Sequence, residues 1–463
     1  MSTTEISETQ VSSDAPALAP LLKLLPGALV YTKSNPKYDE KRKTFNKDNK
    51  AQPMAIISPR CEREVQVAVK FCADNKISMT ARGGGHDVPG RSLIEDGIVI
   101  DMSKLDTITI SEDRTFATIG AGVLLIQLSA FLDSQSLYTP HGWCDQVGYV
   151  GWACGGGYGF SNGQHGLGAH QILGARVVTP SGNIVDTDDD DNLLWAIRGA
   201  GNGNFGVISE IRTKLYTRPQ VLAGIVAFPL SEGREVLSKF EKLSQQDLHK
   251  QFSGDFVIGA APGVGPSIQF FFQYFLDGNN HQQALEYKQK ITDLGTVLMD
   301  NVTESTPHAF LQTFAPALRV ICYMNHHSVS TAGLSDETID ILLNNPPPGR
   351  CMILFHHAHG KALLPHNGAC VIRERHLVWG IQGTVLEGHT EEEKKTAFEW
   401  SENINREVRT RGLALDQGYW SFTPSKHMNT LRWYGKENTE RLKALKDKYN
   451  PDNVFPQAYP TLP

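Results

Sequence analysis

No stretch of this chain holds the ~20 consecutive apolar residues that a helix needs to cross a bilayer. Basic excess is missing too. The net charge is -6, which argues against non-specific binding to nucleic acid, where a basic surface must displace counterions. Cysteine is sparse and unpatterned: Cys61, Cys72, Cys144, Cys154, Cys322, Cys351 and Cys370 are odd in number and free of C-x-x-C spacing. Neither a disulfide framework nor a zinc site is suggested, and a reducing, cytoplasmic setting fits. Residues 1–20 lack a basic start followed by an apolar stretch, so they read as a disordered lead-in and not as a secretory signal. The C-terminal residues 459–463 carry no peroxisomal or retention address. Internal repeats and coiled-coil heptads are absent as well. What remains is 463 residues with 40% hydrophobic content, too long for one compact core, so two domains or one with a large insertion are expected.

From Met54 the pattern turns α/β. An apolar run at 55–57 is followed by Ser58-Pro59, a helix-start signal, and Val65, Ala68, Val69 and Cys72 recur at helical spacing. Strands are expected at 77–79, 98–100, 107–110, 115–119, 175–178 and 207–215, with a helix marked by Leu124, Leu128, Phe131 and Leu132. Beyond Arg218 the character changes. Strand-like runs at 268–274 and 352–359 alternate with charged helices such as 390–409, which predicts an antiparallel sheet backed by helices. A last helix is expected at 436–449, closed by Asn450-Pro451. The acidic run 188–191 reads as a solvated loop.

Three glycine-rich stretches stand out. In Arg82-Gly83-Gly84-Gly85-His86-Asp87, consecutive glycines bring backbone N–H groups close to an anion such as a pyrophosphate, or simply make a tight turn. Gly155-Gly156-Gly157-Tyr158-Gly159 presents bare backbone, suited to lying against a planar ligand or to crossing another segment at close range. The third, from Gly201 through Gly203 to Gly206, matches the G-x-G-x-x-G expression but follows a helix-like segment and precedes a strand. That order excludes a Rossmann nicotinamide site.

Together these motifs resemble the berberine-bridge-enzyme-like branch of the vanillyl-alcohol-oxidase (PCMH-type) flavoproteins. The likeness rests on Arg82 to His86 with the strand after it, on Gly142-Trp143-Cys144-Asp145-Gln146-Val147-Gly148 followed by Gly151 and 155–159, on 194–199 and 203–206, and on a closing segment at 434–435, 441–442 and 449–455. It implies an α+β fold: a PCMH-type FAD-binding domain of two α/β subdomains, plus a substrate domain with an antiparallel sheet backed by helices. The expected division is a lead-in and first helix over 1–49, the FAD-binding domain over 50–217, the substrate-binding domain over 218–417 and a C-terminal segment over 418–463 that returns to the FAD domain. The resemblance further implies FAD bonded twice, through an 8α-histidyl link at His86 and a 6-S-cysteinyl link at Cys144. Imidazole nitrogen and thiolate are the soft nucleophiles able to attack an electrophilic isoalloxazine. Around them it places Arg82, Gly83, Gly84, Gly85, Asp87, Val147, Gly148, Gly151, Gly155, Gly156, Gly157, Tyr158, Gly206 and Val207 at the cofactor, with no metal.

In such enzymes the substrate loses a hydride to flavin N5 while a base takes a proton, and O2 reoxidises the flavin to give H2O2. Val147 occupies a position where valine goes with good oxygen reactivity. The usual phenolic base is missing, because Tyr419-Trp420-Ser421-Phe422 puts Phe422 where the family's catalytic tyrosine would stand. Trp152 replaces a usual histidine beside the flavin. Candidate bases are therefore Tyr158, Tyr419 and the histidines of the substrate domain: His326, His327, His356, His357, His359, His366 and His376. Along 352–359, alternation puts His356 on one face with Leu354 and Ala358, and His357 with His359 on the other. The pair His357 and His359 is taken as the catalytic candidate, with a metal pair lacking a third ligand, or structural histidines, as the competing readings. Glu374 and Tyr323 are further candidates, against plain readings as a surface charge and a core aromatic. The function expected is a flavin oxidase that dehydrogenates or oxidatively cyclises a small secondary metabolite, with O2 as co-substrate. A redox-neutral cyclisation or cycloaddition in the same cavity is the alternative, and a non-catalytic binding protein a third.

Overall fold

The computed structural model describes residues 11, 13–261, 263–424 and 428–462. Its first sheet has four strands in the order Leu29–Thr32, Ala55–Ser58, Ile98–Asp101, Met79–Arg82, the last three parallel. Ala55–Ser58 and Ile98–Asp101 are buried along their whole length, as parallel strands covered on both faces must be. The helix Glu62–Asp74 covers one face with the helically spaced residues Val65, Ala68, Val69 and Cys72. Its first turn carries Glu62 and Glu64, which complement the helix dipole.

The second sheet is antiparallel, with Val207–Lys214 at its centre between Phe116–Gly120 and Ile172–Val178. The 201–206 glycines lead out of the helix Asp191–Ala200 and into that central strand, so the chain order is wrong for a nicotinamide fingerprint. The neighbouring acidic run is more than a solvated loop. Asp188 pairs with Arg212, while Asp190 caps the helix at Leu193 N–H and pairs with Lys448 of the helix Lys436–Tyr449.

The N-terminal segment also departs from expectation. Residues 1–10 lie outside the described residues, but from Val11 the chain packs: Val11, Ala15, Leu18 and Leu21 are buried in the same core as the first sheet. Apolar side chains at 11, 15, 18 and 21 fall on one helical face, a periodicity hidden by the polar composition around them. Leu29–Thr32 then adds an antiparallel strand to the sheet.

The third sheet has eight strands. Its main path runs Met299–Asp300, Gln220–Pro229, Gly265–Leu276, Phe256–Ala261, Met352–Ala358, His376–Val385, Tyr323–Thr331, with Thr303–Ser305 also paired to Gln220–Pro229. All these pairings are antiparallel, so register and period-2 alternation give the sheet two distinct faces. One face, with Phe256, Phe270, Phe355 and Trp379, packs on the helices Gly233–Gln246, Asp336–Asn344 and Glu391–Thr410 through Phe240, Leu342 and Trp400. The other face looks toward the two smaller sheets. Val454 and Phe455, beyond the last helix, return to the core of the first sheet. Among the described residues no helix is long and apolar enough to cross a membrane.

Candidate active site

The strand Met79–Arg82 runs straight into loop 83–87, and the helix Leu125–Ser134 and strand Leu137–Tyr138 lead to loop 139–148. These two loops touch backbone to backbone. A Cβ at Gly84 would sit 2.5 Å from the Gly148 nitrogen, and one at Gly148 would sit 2.7 Å from the Gly84 nitrogen. Glycine is required at both positions by this approach. Its result is that His86 Nδ1 lies 3.8 Å from Cys144 Sγ. Burial lowers the His86 pKa to about 4, so the imidazole is neutral at physiological pH. Burial pushes the Cys144 thiol up to about 11. The beginning of the chain contributes here unexpectedly: Phe45 stacks on the His86 ring at 4.5 Å and donates its N–H to Gly85 O. Next to it, Asn46 pairs with both backbone groups of Met324 on the substrate sheet.

His86 and Cys144 open onto a cavity of about 580 Å³, within the usual range for a ligand or cofactor site. On the side of the two smaller sheets it is lined by Gly83, Gly84, Gly85, Asp87, Val147, Gly148, Gly151 and Gly206, and by Tyr459 near the C-terminus. None of the backbone N–H groups of residues 83–87 donates to a backbone carbonyl among the described residues, which leaves a run of donors for an anionic group. Arg91, held by Asp87 and stacked on Tyr459 at 3.5 Å, adds a positive charge to that wall. A cavity with glycine backbone at one end, unpaired N–H donors and a convergent imidazole and thiol fits FAD.

Several expected cofactor contacts lie elsewhere. Arg82 does not face the cavity: it forms a buried ion pair with Asp101 at 3.2 Å and donates to Lys41 O, pinning the ends of two parallel strands. Gly155, Gly156 and Gly157 are not in the wall either. Gly157 has φ +76° and passes so close to Gly168 that a Cβ would fall 2.7 Å from its Cα, so this stretch is a tight crossing and not a flat bed for a ring. Val207 is turned into the core of the first sheet, and its neighbour Ile208 takes the cavity position, as alternation along a strand demands.

The crossing delivers Tyr158 to the cavity, where Trp152 donates to its carbonyl at 3.1 Å. The Tyr158 hydroxyl lies 3.1 Å from His376 Nε2. His376 Nδ1 faces the Glu374 carbonyl, which can only accept, so Nδ1 carries the proton and Nε2 accepts from Tyr158. Tyr419 lines the cavity 5.0 Å from Tyr158, ring to ring, and Phe422 lies beside it. Burial raises both phenols well above their ordinary pKa.

The pair His357 and His359 is misplaced by the sequence reading. His357 points to the helix side of the sheet, near Phe240, and His359, just past the strand end, packs against His357 and Gly163 with its Nε2 3.4 Å from Ser253 O. Neither reaches the cavity, and among the described residues no three potential ligands converge on a metal position. The cavity histidine is His356, one residue away. Its Nδ1 is 2.9 Å from Oδ2 of Asp255, a fully buried carboxylate that also accepts from Trp143 Nε1 at 3.0 Å and from the His357 N–H at 2.9 Å. Asp255 was invisible to sequence reading, since no motif marks it.

Comparison with known proteins agrees with this construction. Residues 53–188 match the family model described as FAD binding domain. The chain is 32% identical over 446 residues to the FAD-linked oxidoreductase aurO of Gibberella zeae, covering 95% of this chain and 86% of that protein. Its fold matches BBE-like 1 of Physcomitrella patens with a TM-score of 0.81 at 21% identity, covering 98% and 99% of the two chains. Glucooligosaccharide oxidase from Acremonium strictum, a protein with a 6-S-cysteinyl, 8α-N1-histidyl FAD, matches with a TM-score of 0.80 at 22% identity over 96% and 97%. With a paired imidazole and thiol in a PCMH-type domain and a near full-length relative at this identity, the chain belongs to the berberine-bridge-enzyme-like FAD-linked oxidoreductases.

Proposed function

We propose that this oxidoreductase carries FAD bonded to both His86 and Cys144, and that it oxidises a small, largely apolar secondary metabolite with O2 as the final acceptor. The observation that carries this reading is the 3.8 Å approach of His86 Nδ1 to Cys144 Sγ at one wall of the cavity. The neutral imidazole is the nucleophilic form. Burial disfavours the Cys144 thiolate, so sulfur attack on the flavin requires the thiol proton to leave as the bond forms. Bound FAD supplies a two-electron acceptor that O2 regenerates with release of H2O2.

The substrate wall supports an apolar molecule. Ile225, Val257, Phe271, Phe314, Met352 and Leu354 dominate it, with Gln269, Gln382 and Thr384 as scattered polar groups. An oligosaccharide needs a dense set of hydrogen-bond partners, because each hydroxyl left unpaired on burial is costly. Phe422 in the wall offers no proton acceptor, which is the one feature that favours a redox-neutral cyclisation instead.

Acid precipitation of the purified protein, followed by absorbance and intact mass, tests the attachment. The yellow colour is expected to stay with the pellet, with a mass gain of one FAD. His86→Ala and Cys144→Ala singly leave the flavin on the remaining bond, and the double variant releases it. Flavin in the supernatant of the wild-type protein overturns the double linkage. Turnover unchanged under strict anaerobiosis, without peroxide, overturns the oxidase.

A further inference from the structure

Resting on the flavin-oxidase reading above, we propose that His356, held by Asp255, is the catalytic residue that takes a proton from the substrate, and that this proton comes from a ring hydroxyl on an apolar substrate. Asp255 is then a positioning residue.

The geometry fixes which nitrogen is available. Asp255 Oδ1 faces the His357 N–H, and Oδ2 faces Trp143 Nε1 and His356 Nδ1. The first two groups can only donate, so both oxygens accept, as those of a carboxylate do; burial raises the Asp255 pKa, and the facing His356 and these hydrogen bonds pull it back. His356 Nδ1 therefore carries the proton that points at Asp255, and Nε2 keeps its lone pair. Among the described residues Nε2 has no hydrogen-bond partner, and the residue lines the cavity. Imidazole is the side chain best suited to exchange a proton near neutral pH, and a buried carboxylate behind it stabilises the imidazolium that forms.

The competing groups are poorer acceptors. Tyr158 lies beside His356 with its own proton directed to His376, and Tyr419 lies one ring beyond. Burial disfavours both phenolates and keeps His376 neutral, with its pKa lowered to about 4. His326 sits across Phe422, which separates it from His356. Asp255 beneath the ring completes the titratable groups that face it.

The substrate class follows from the rings around the His356 imidazole. Trp143 meets His356 edge-on at 5.0 Å, Phe422 lies parallel at 6.0 Å and Tyr158 at 6.2 Å, with Phe271 stacked on Trp143. Such a box favours a planar ring, by offset stacking and edge contacts. The imidazole nitrogen among these rings is a free acceptor that suits an O–H on the substrate ring. In the step itself the O–H bond breaks and an Nε2–H bond forms, while Asp255 stays unprotonated beside the imidazolium. The electrons of the oxidation leave to the cofactor of the established oxidoreductase activity.

The test uses the holoenzyme and 4-nitrophenol as probe, followed by difference absorbance of the bound phenolate between pH 5.5 and 8. The wild type is expected to bind the probe saturably and to ionise it with an apparent pKa about one unit or more below its free value, as an adjacent opposite charge produces. His356→Asn keeps a donor toward Asp255 and removes Nε2, so binding persists and the shift disappears. His356→Gln gives the same comparison if the asparagine variant does not fold. Asp255→Asn moves the ionisation profile back toward the free value while the probe still binds. No saturable binding at millimolar probe overturns the substrate class, and an unchanged shift in the His356 variants overturns the base. Flavin retention after acid precipitation of the same preparations reports the linkage separately, so either reading can fail while the other stands.

Discussion

His356 and His357 are adjacent on one strand and meet opposite fates. His356 faces the cavity, with its Nδ1 on Asp255 and no hydrogen-bond partner for the other nitrogen among the described residues. His357 is wholly buried on the helix side, and neither of its ring nitrogens has a hydrogen-bond partner among the described residues. The same contrast runs across the whole sheet. Met352, Leu354 and His356 line the cavity, while Ile353, Phe355 and their neighbours pack in the core. One face of the sheet is free to vary with the ligand, and the other holds the domain together.

The largest way to probe that difference is acid. Burial lowers the pKa of His326 to about 3, of His359 and His376 to about 4, and of His357 well below its ordinary 6.5. Because the folded state keeps these rings neutral, the unfolded chain binds more protons below pH 6.5. Stability is thus full above that pH and falls as pH drops toward 4, by up to about 1.4 kcal/mol per pH unit for each ring. Urea midpoints at pH 7.5, 6.5 and 5.5 check this, and a midpoint constant over that range counts against it.

Next comes a pair of truncations on one strand. Phe355→Ala, in the core between Phe256 and Trp379, is expected to cost about 3–5 kcal/mol. Leu354→Ala only enlarges an existing cavity and is expected to cost about 1–2 kcal/mol. Equal costs in denaturant unfolding erase the distinction between the faces. The smallest effect is for His357→Leu, which removes buried polar atoms without partners and keeps similar volume. Its stability at pH 7.5 is expected within about 1 kcal/mol of wild type, with a flatter acid dependence. A loss of several kcal/mol would instead reveal a bonded imidazole.

Much of this was readable beforehand, for reasons that differ by residue. His86 and Cys144 were singled out through the resemblance of the 82–86 and 142–148 motifs, whereas the backbone approach of Gly84 to Gly148 that brings the two side chains together is visible only in the structure. Alternation along 352–359 correctly separates His356 from His357, yet it carries no information on which face meets the cofactor. That choice depends on Asp255 and Trp143, which reach His356 from 101 residues away and from the cofactor loop. Arg82 was misread because a buried ion pair and an anion contact look alike in sequence. Phe45 was missed because its partner is an imidazole two strands and a helix further along the chain, and local periodicity does not register such a contact.

One carboxylate joins the two halves of the chemistry. Through one oxygen, Oδ2, Asp255 meets both His356 and Trp143, the residue before Cys144. The imidazole proposed as proton acceptor and the loop that carries the proposed sulfur anchor thereby share a single reference point. Gln269, Gln382 or Thr384 along the outer wall can be exchanged without touching the Asp255 contacts that relate His356 to the Cys144 loop.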